Sequence, residues 1–188
     1  MKKIIFAFAL SSLIWTSKAS ATNPVDSKKE EIEVNINLTD VKDDQVLVTI
    51  KAPKIKTDII TYSLPKTVPG TYSVDDYGKY IADFKAYDKK GNLLTVTKTD
   101  DNTWSIQKAK SLVKITYLVN DTYDTEKGRG FGKDDVFSPA GTNIDASKNF
   151  MLNLHGFVGY FQDKKEMPYK VTVTHPETLW GATSMIDK

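Results

Sequence analysis

From Glu31 to Leu38 the chain alternates strictly. Ile32, Val34, Ile36 and Leu38 are apolar, and Glu31, Glu33, Asn35 and Asn37 lie between them. A side-chain period of two over this length belongs to a strand with one buried face. The pattern returns in Val46, Val48 and Ile50 after an Asp43-Asp44 turn; Ile59 to Leu64, the β-rich run Leu112 to Val119 and Tyr169 to His175 read as further strands. No long stretch carries the 3.6-residue period of a helix, and no internal repeat is present. Short strands separated by turn signals every 8–12 residues predict an all-β fold, specifically an antiparallel β-sandwich with short irregular or helical turns.

Prolines and glycines punctuate this pattern. Pro53 and Pro65 end strands because proline cannot donate to a ladder. Pro69-Gly70 is a turn, with φ fixed by proline and a positive φ open to glycine. Ser73 is placed to cap a short helical turn with Asp75 and Asp76 in it. Tyr80 to Tyr87 reads as a strand, Lys89 to Asn92 as a hairpin loop, and Leu93 to Lys98 as the return strand. Thr103 to Gln107 follows, with Phe84 and Trp104 expected in the core. Asp121 to Asn149 is irregular and rich in glycine, as functional or disordered loops are.

The N-terminus has a different logic. Lys2 and Lys3 precede an apolar run from Ile4 to Trp15, and Ala19-Ser20-Ala21 fits a signal-peptidase site. The run is shorter than the ~20 residues needed to span a bilayer. It predicts a signal peptide over 1–21, cleaved after Ala21, then a loose leader over 22–30, then one domain over 31–188. Export to the periplasm or beyond the cell follows, with no membrane span after cleavage. The leader removes Lys2, Lys3 and Lys18 and no acid, so the net charge of +2 becomes −1. A domain of that charge has no electrostatic footprint for nucleic acid. The chain has no cysteine, which excludes disulfides and thiolate chemistry and leaves the core to hold the fold.

Catalytic signals are sparse. His155 and His175 are the only histidines, and no HExxH pair or GxSxG elbow occurs. Zinc sites need three or four ligands, so structural or surface roles are expected for both histidines. Gly128-Arg129-Gly130-Phe131-Gly132 lacks the flanking strand and helix of a phosphate loop. Asp121, Asp124, Glu126, Asp134 and Asp135 lack EF-hand spacing. No catalytic residue and no metal ligand is assigned. Tyr62, Tyr72, Tyr77, Tyr80, Phe84 and Tyr87 crowd one segment, and such rings either fill a core or offer a binding face. Pro69, Gly70, Tyr72, Asp75 and Tyr77, on and beside the Pro-Gly turn, are the candidates for contact with substrate or with a neighbouring domain.

Several motifs fall in a consistent order. They are Leu64-Pro65, Pro69-Gly70-Thr71-Tyr72, the spacing Asp83, Ala86, Asp88, Gly91, then Trp104-Ser105-Ile106 and Ile115-Thr116-Tyr117. Val171 to Pro176 followed by Leu179-Trp180 closes the series. Together they resemble the N-terminal domain of the glycyl aminopeptidase family of zinc metallopeptidases, over about residues 31 to 186. The chain departs from that family at Lys66-Thr67-Val68, where members carry an aromatic residue and another proline. The resemblance implies a non-catalytic β-sandwich from an exported zinc aminopeptidase. Its partner would be the catalytic domain of the same polypeptide, whose cleft it would wall through the Pro69–Tyr77 and Asp121–Asn149 loops, and a peptide substrate is a further implied partner. The zinc would belong to that catalytic domain and no cofactor to this chain, which would then be a fragment of the longer protein. A free-standing periplasmic module that binds peptide or glycan through the aromatic loop is the alternative reading, and a purely structural surface protein is a third.

Overall fold

The computed structural model of the chain describes residues 30–70, 73–122, 136, 140–146 and 148–186. The expected signal peptide, most of the leader, Tyr72, the 128–132 glycine run and Asp124, Glu126, Asp134 and Asp135 lie outside the described residues.

Two antiparallel hairpin systems dominate. β1 (Ile32–Lys42), β2 (Gln45–Lys51), β4 (Ile81–Asp88), β7 (Leu112–Asn120) and β11 (Tyr169–Thr174) form a five-stranded sheet in the order β11-β1-β2-β7-β4. β3 (Ile59–Ser63), β5 (Val96–Asp100), β6 (Thr103–Gln107) and the two-residue β10 (Tyr160–Phe161) form a second sheet in the order β10-β3-β6-β5. A small hairpin joins β8 (Asn143–Asp145) to β9 (Asn149–Met151). The fold is mostly β with antiparallel sheets, as the alternation predicts.

Burial follows the period of two. Ile32, Val34, Ile36 and Leu38 of β1 and Val46, Val48 and Ile50 of β2 are buried, while their neighbours face outward or sit at the margin. The two sheets meet through aromatic rings. Phe84 of β4 stacks on Trp104 of β6 with centroids 4.7 Å apart and on Tyr117 of β7 at 5.7 Å. Tyr62 of β3 touches Phe84, Tyr117 and Phe161. Phe84 reaches this layer because β4 is bulged. Asp83 takes φ 50°, the register slips between Ala82 and Lys85, and Ile81, Phe84 and Ala86 all turn toward the core. A bulge inserts one residue and re-phases the strand after it.

Three expectations need correction. Leu93 to Lys98 does not return along β4. The hairpin opens with a Tyr87–Leu93 bridge and Leu94 N–H donating to Ala86 O (2.9 Å), and the chain then crosses to the second sheet, where β5 pairs β6. Leu94 and Val96 pack against the core on the way, so the crossing buries apolar surface that a simple hairpin would leave on an edge. β11 is not antiparallel to its neighbour: it pairs β1 in parallel, Ile32 opposite Tyr169 through Asn37 opposite Thr174. The long excursion between β1 and β11 permits this, since parallel pairing needs a crossover rather than a tight turn. Ser73 does not cap the helical turn. That turn is a 3₁₀ segment, Tyr77–Tyr80, preceded by Asp76 at φ 50°, and it has no side-chain cap.

Candidate functional site

The Pro-Gly loop leaves the second sheet at the end of β3 and returns at the Tyr77–Tyr80 turn. Its base is closed by backbone bonds. Lys66 O accepts from Asp75 N–H (3.1 Å) and Asp76 N–H (3.0 Å), and Pro65 O accepts from Tyr77 N–H (3.3 Å). Two facing donors on one carbonyl bring the two ends of the loop together, so the tip must project. Pro69 and Gly70 are exposed there, and Gly70 has φ 97°, which only glycine adopts without strain.

Asp75 and Tyr77 do not point out with the tip. Asp75 is 3% exposed and Tyr77 1%. Asp75 Oδ1 accepts from Ser73 Oγ (2.7 Å) and Oδ2 from the Tyr77 hydroxyl (3.0 Å), which also lies 3.4 Å from Ala140 O. Burial, then the Asp75 carboxylate that receives its proton, pushes the Tyr77 phenol well above its ordinary range. His155, from the single helical turn α1 (Leu154–Phe157), lies against the Tyr77 ring at 4.7 Å, and its Nε2 is 2.8 Å from Ala140 O. A carbonyl can only accept, so Nε2 carries the hydrogen. The Ala140 carbonyl thus accepts from His155, with the Tyr77 hydroxyl beside it, and the loop base lies against the segment at residue 140.

The other side of the base is held by the β5–β6 turn. Asn102 is buried, with Oδ1 accepting from Gly78 N–H (2.9 Å) and Nδ2 donating to Asp76 Oδ1 (2.8 Å). Lys98 Nζ adds a bond to Gly78 O (3.1 Å). Burial works to raise the Asp76 carboxyl, but the bonds from Asn102 and Lys79 outweigh it and hold the group below the usual carboxylate range. Gly78 is required by space: a Cβ there would overlap the backbone of Asp101 and Asn102.

Deeper in, the segment after α1 is held by two tyrosines. Tyr117 OH donates to Phe157 O (2.6 Å), and Gly159 N–H donates to Tyr62 OH (2.9 Å). Tyr117 has spent its one proton, so the 3.0 Å contact between the hydroxyls runs from Tyr62 to Tyr117. Tyr169 OH completes the set on Gly159 O (3.2 Å). Burial raises all three phenols, Tyr169 to about 12.

This arrangement positions a loop. In it Asp75 has both oxygens turned to internal hydroxyls, those of Ser73 and Tyr77. Among the described residues no three His, Cys, Asp or Glu side chains are grouped as metal ligands would be. His155 turns Nε2 to a carbonyl, and exposed His175 directs Nδ1 to Pro176 O (2.9 Å). Among the described residues no helix is long and apolar enough to cross a membrane. Of the sequence candidates, Pro69 and Gly70 are at the tip, Asp75 and Tyr77 are in the base, and Tyr72 is outside the described residues. Sequence reasoning missed Asn102, Ala140 and His155 as parts of the base. Asn102 carried a weak signal in its Asp-Asp-Asn turn, whereas nothing local marks a carbonyl such as that of Ala140.

The described residues thus form a two-sheet β module with a braced loop. The family model of the peptidase M61 N-terminal domain matches residues 33–188, and the chain belongs to that family. No curated protein sequence matches it. Among solved structures, the fold is similar to an aminopeptidase N family protein from Idiomarina loihiensis, with a TM-score of 0.62 and 18% identity. The match covers 78% of this chain and 22% of that one, so the chain spans about a fifth of the length of that protein.

Proposed function

We propose that this chain is the non-catalytic N-terminal module of an exported, zinc-dependent aminopeptidase of the glycyl aminopeptidase type. The observation that carries the reading is the family match over 33–188, in a chain that corresponds to only 22% of its solved structural neighbour. The five- and four-stranded sheets, joined through Phe84, Trp104, Tyr62 and Tyr117, form the sandwich of such a module. The Pro69-Gly70 tip is the element that walls the cleft of a catalytic domain, because a braced base gives an exposed tip a fixed direction. The zinc and the general base reside in that catalytic domain, where the metal would polarise a peptide carbonyl and activate water. The signal-like segment over 1–21 supports export to the periplasm or beyond.

The aromatic-loop binder is the weaker reading. Tyr62, Tyr77 and Trp104 are buried, and Phe84 is stacked between rings, so these side chains offer no face to a glycan or peptide.

The test is direct. The purified chain from residue 22 onward is expected to bind no zinc and to release no amino acid from glycyl peptides, and an open frame downstream of codon 188 is expected to encode HExxH. A stop codon there, with a stable soluble product, would sink the proposal; stoichiometric zinc with turnover in this chain would do the same.

A further inference from the structure

Past Thr174 the described residues leave the five-stranded sheet and enter no other. The hydrogen bonds of this tail among the described residues are local: Leu179 N–H to Pro176 O (3.0 Å), His175 Nδ1 to Pro176 O (2.9 Å) and Met185 N–H to Thr183 Oγ1 (3.1 Å). Leu179 is half-buried, but the tail's other large apolar side chains are bare. Trp180 is 99% exposed and Ile186 89%, with Met185 and Val173 also exposed, and none of the four joins the hydrophobic core. The other exposed large apolar residues, Leu47, Ile59, Val74, Leu93 and Met151, are scattered over separate elements, which is ordinary for a surface. Composition sharpens the contrast. Between Pro176 and Ile186 the only charged residue is Glu177, in a chain that is 27% charged. Segments that stay in water are normally charged and poor in aromatics.

The matched family domain runs through residue 188, so the tail lies within the module. The solved neighbour is a far longer polypeptide, of which this chain covers 22%. We propose that Val173–Ile186 is the surface by which the module docks on the peptidase body that makes up the rest of such polypeptides, with the Trp180 indole seated in an apolar pocket of that body. This rests on the reading of the chain as a peptidase module. A second copy of the chain is the competing occupant, which the experiment below separates. One open cavity among the described residues, of about 630 Å³ between Glu30 and Gln162–Pro168, is lined largely by charged side chains, among them Asp163, Lys164, Lys165 and Glu166, and does not suit an indole. Tryptophan is among the residues that most often dominate an interface, because one ring desolvates a large area with few rotatable bonds.

The experiment uses the chain from residue 22 onward, in which Trp104 and Trp180 are the only tryptophans. The probe is an M61 peptidase polypeptide lacking its N-terminal module, its folding checked by stoichiometric zinc. Binding is expected for the wild type and at least about tenfold weaker for Trp180→Ala. Iodide quenching of tryptophan emission is expected to fall when the body is added. In the chain alone, Trp180→Ala is expected to leave Tm within about 1 °C of wild type. Equal binding by both forms would overturn the docking proposal and leave the peptidase-module reading standing. No binding by either form would overturn both. A clear fall in Tm for Trp180→Ala would mean that the indole packs on its own domain, and loss of iodide quenching as the chain alone is concentrated would mean that a second copy is the occupant; each defeats the proposal.

Discussion

The Lys66–Asp76 loop and the His175–Ile186 tail both leave the sheets, and they are held in opposite ways. The loop returns to a base in which Asp75, Tyr77 and Asn102 are buried and hydrogen-bonded, with His155 and Ala140 on one flank and the β5–β6 turn on the other. The tail does not return, and its largest side chain, Trp180, touches almost nothing. The difference teaches how a projecting segment obtains a defined direction. Polar side chains can fix it only where they are removed from water, because a buried unsatisfied group costs about 1–3 kcal/mol and so forces its partners into one geometry. A segment with no buried polar group has no such constraint from its own domain and takes its geometry from whatever covers it.

That contrast can be broken or sharpened, beginning with the largest effect. Raising the pH attacks every buried phenol. The folded pKa values of Tyr62, Tyr77, Tyr117 and Tyr169 are raised above their unfolded value, so their contribution is complete below about pH 10 and is lost as pH climbs toward the folded pKa values. For the fully buried Tyr62 and Tyr117 alone, stability is expected to fall by about 1.4 kcal/mol per pH unit for each retained proton. Tyrosinate absorbance should therefore rise cooperatively with loss of β circular dichroism; a gradual rise with the fold intact would contradict the burial of the pair.

Gly78→Ala comes next. The added methyl meets the backbone of Asp101 and Asn102, which cannot rotate away, and overpacking of this kind costs about 1–3 kcal/mol or more. Chemical denaturation would reveal it as a lower midpoint, and an unchanged midpoint would mean that the turn is not clamped. Asn102→Ala removes both bonds that tie the β5–β6 turn to the loop base, with an expected loss of about 2 kcal/mol. Tyr77→Phe keeps the ring against His155 but takes one hydroxyl donor from Asp75, and a loss of about 1 kcal/mol is expected. Its signature is faster amide exchange at Asp75 and Asp76 than at β1 or β7, whereas a uniform change would disconnect the hydroxyl from the loop. Trp180→Ala closes the series with no measurable change in the stability of the isolated chain.

Legibility differed between the two regions for a physical reason. Period two located β1 and β2 because one face of each strand is buried, and burial leaves an alternating mark in the sequence; β-rich runs bounded by turns and prolines located β3, β6, β7 and β11. β4 carries a weaker mark, since the bulge at Asp83 interrupts the period, and Phe84 is assigned to the core by its aromatic character rather than by its phase. The Pro69-Gly70 turn was visible because its φ values demand those residue types. The base beneath it was not visible. Ser73, Asp75 and Asp76 carry the composition of a helix cap, and the same residues serve equally well as a buried acceptor and its neighbours. Their role depended on Asn102, Ala140 and His155, which are distant in sequence.

By itself, the sequence determined that the chain is β, where most of its strands run, that its core must hold without disulfides, and that its motifs follow those of a peptidase N-terminal domain. These properties rest on local periodicity, on the backbone limits of proline and glycine, and on composition, each of which is read within a few residues. Only the tertiary structure decided that β11 runs parallel to β1, that β5 crosses to the other sheet, that Asp75 and Tyr77 face inward beneath an exposed tip, and that Trp180 is left bare. Those outcomes depend on which surfaces remain unburied once the strands have paired, a property of the whole assembly that no short stretch of residues encodes.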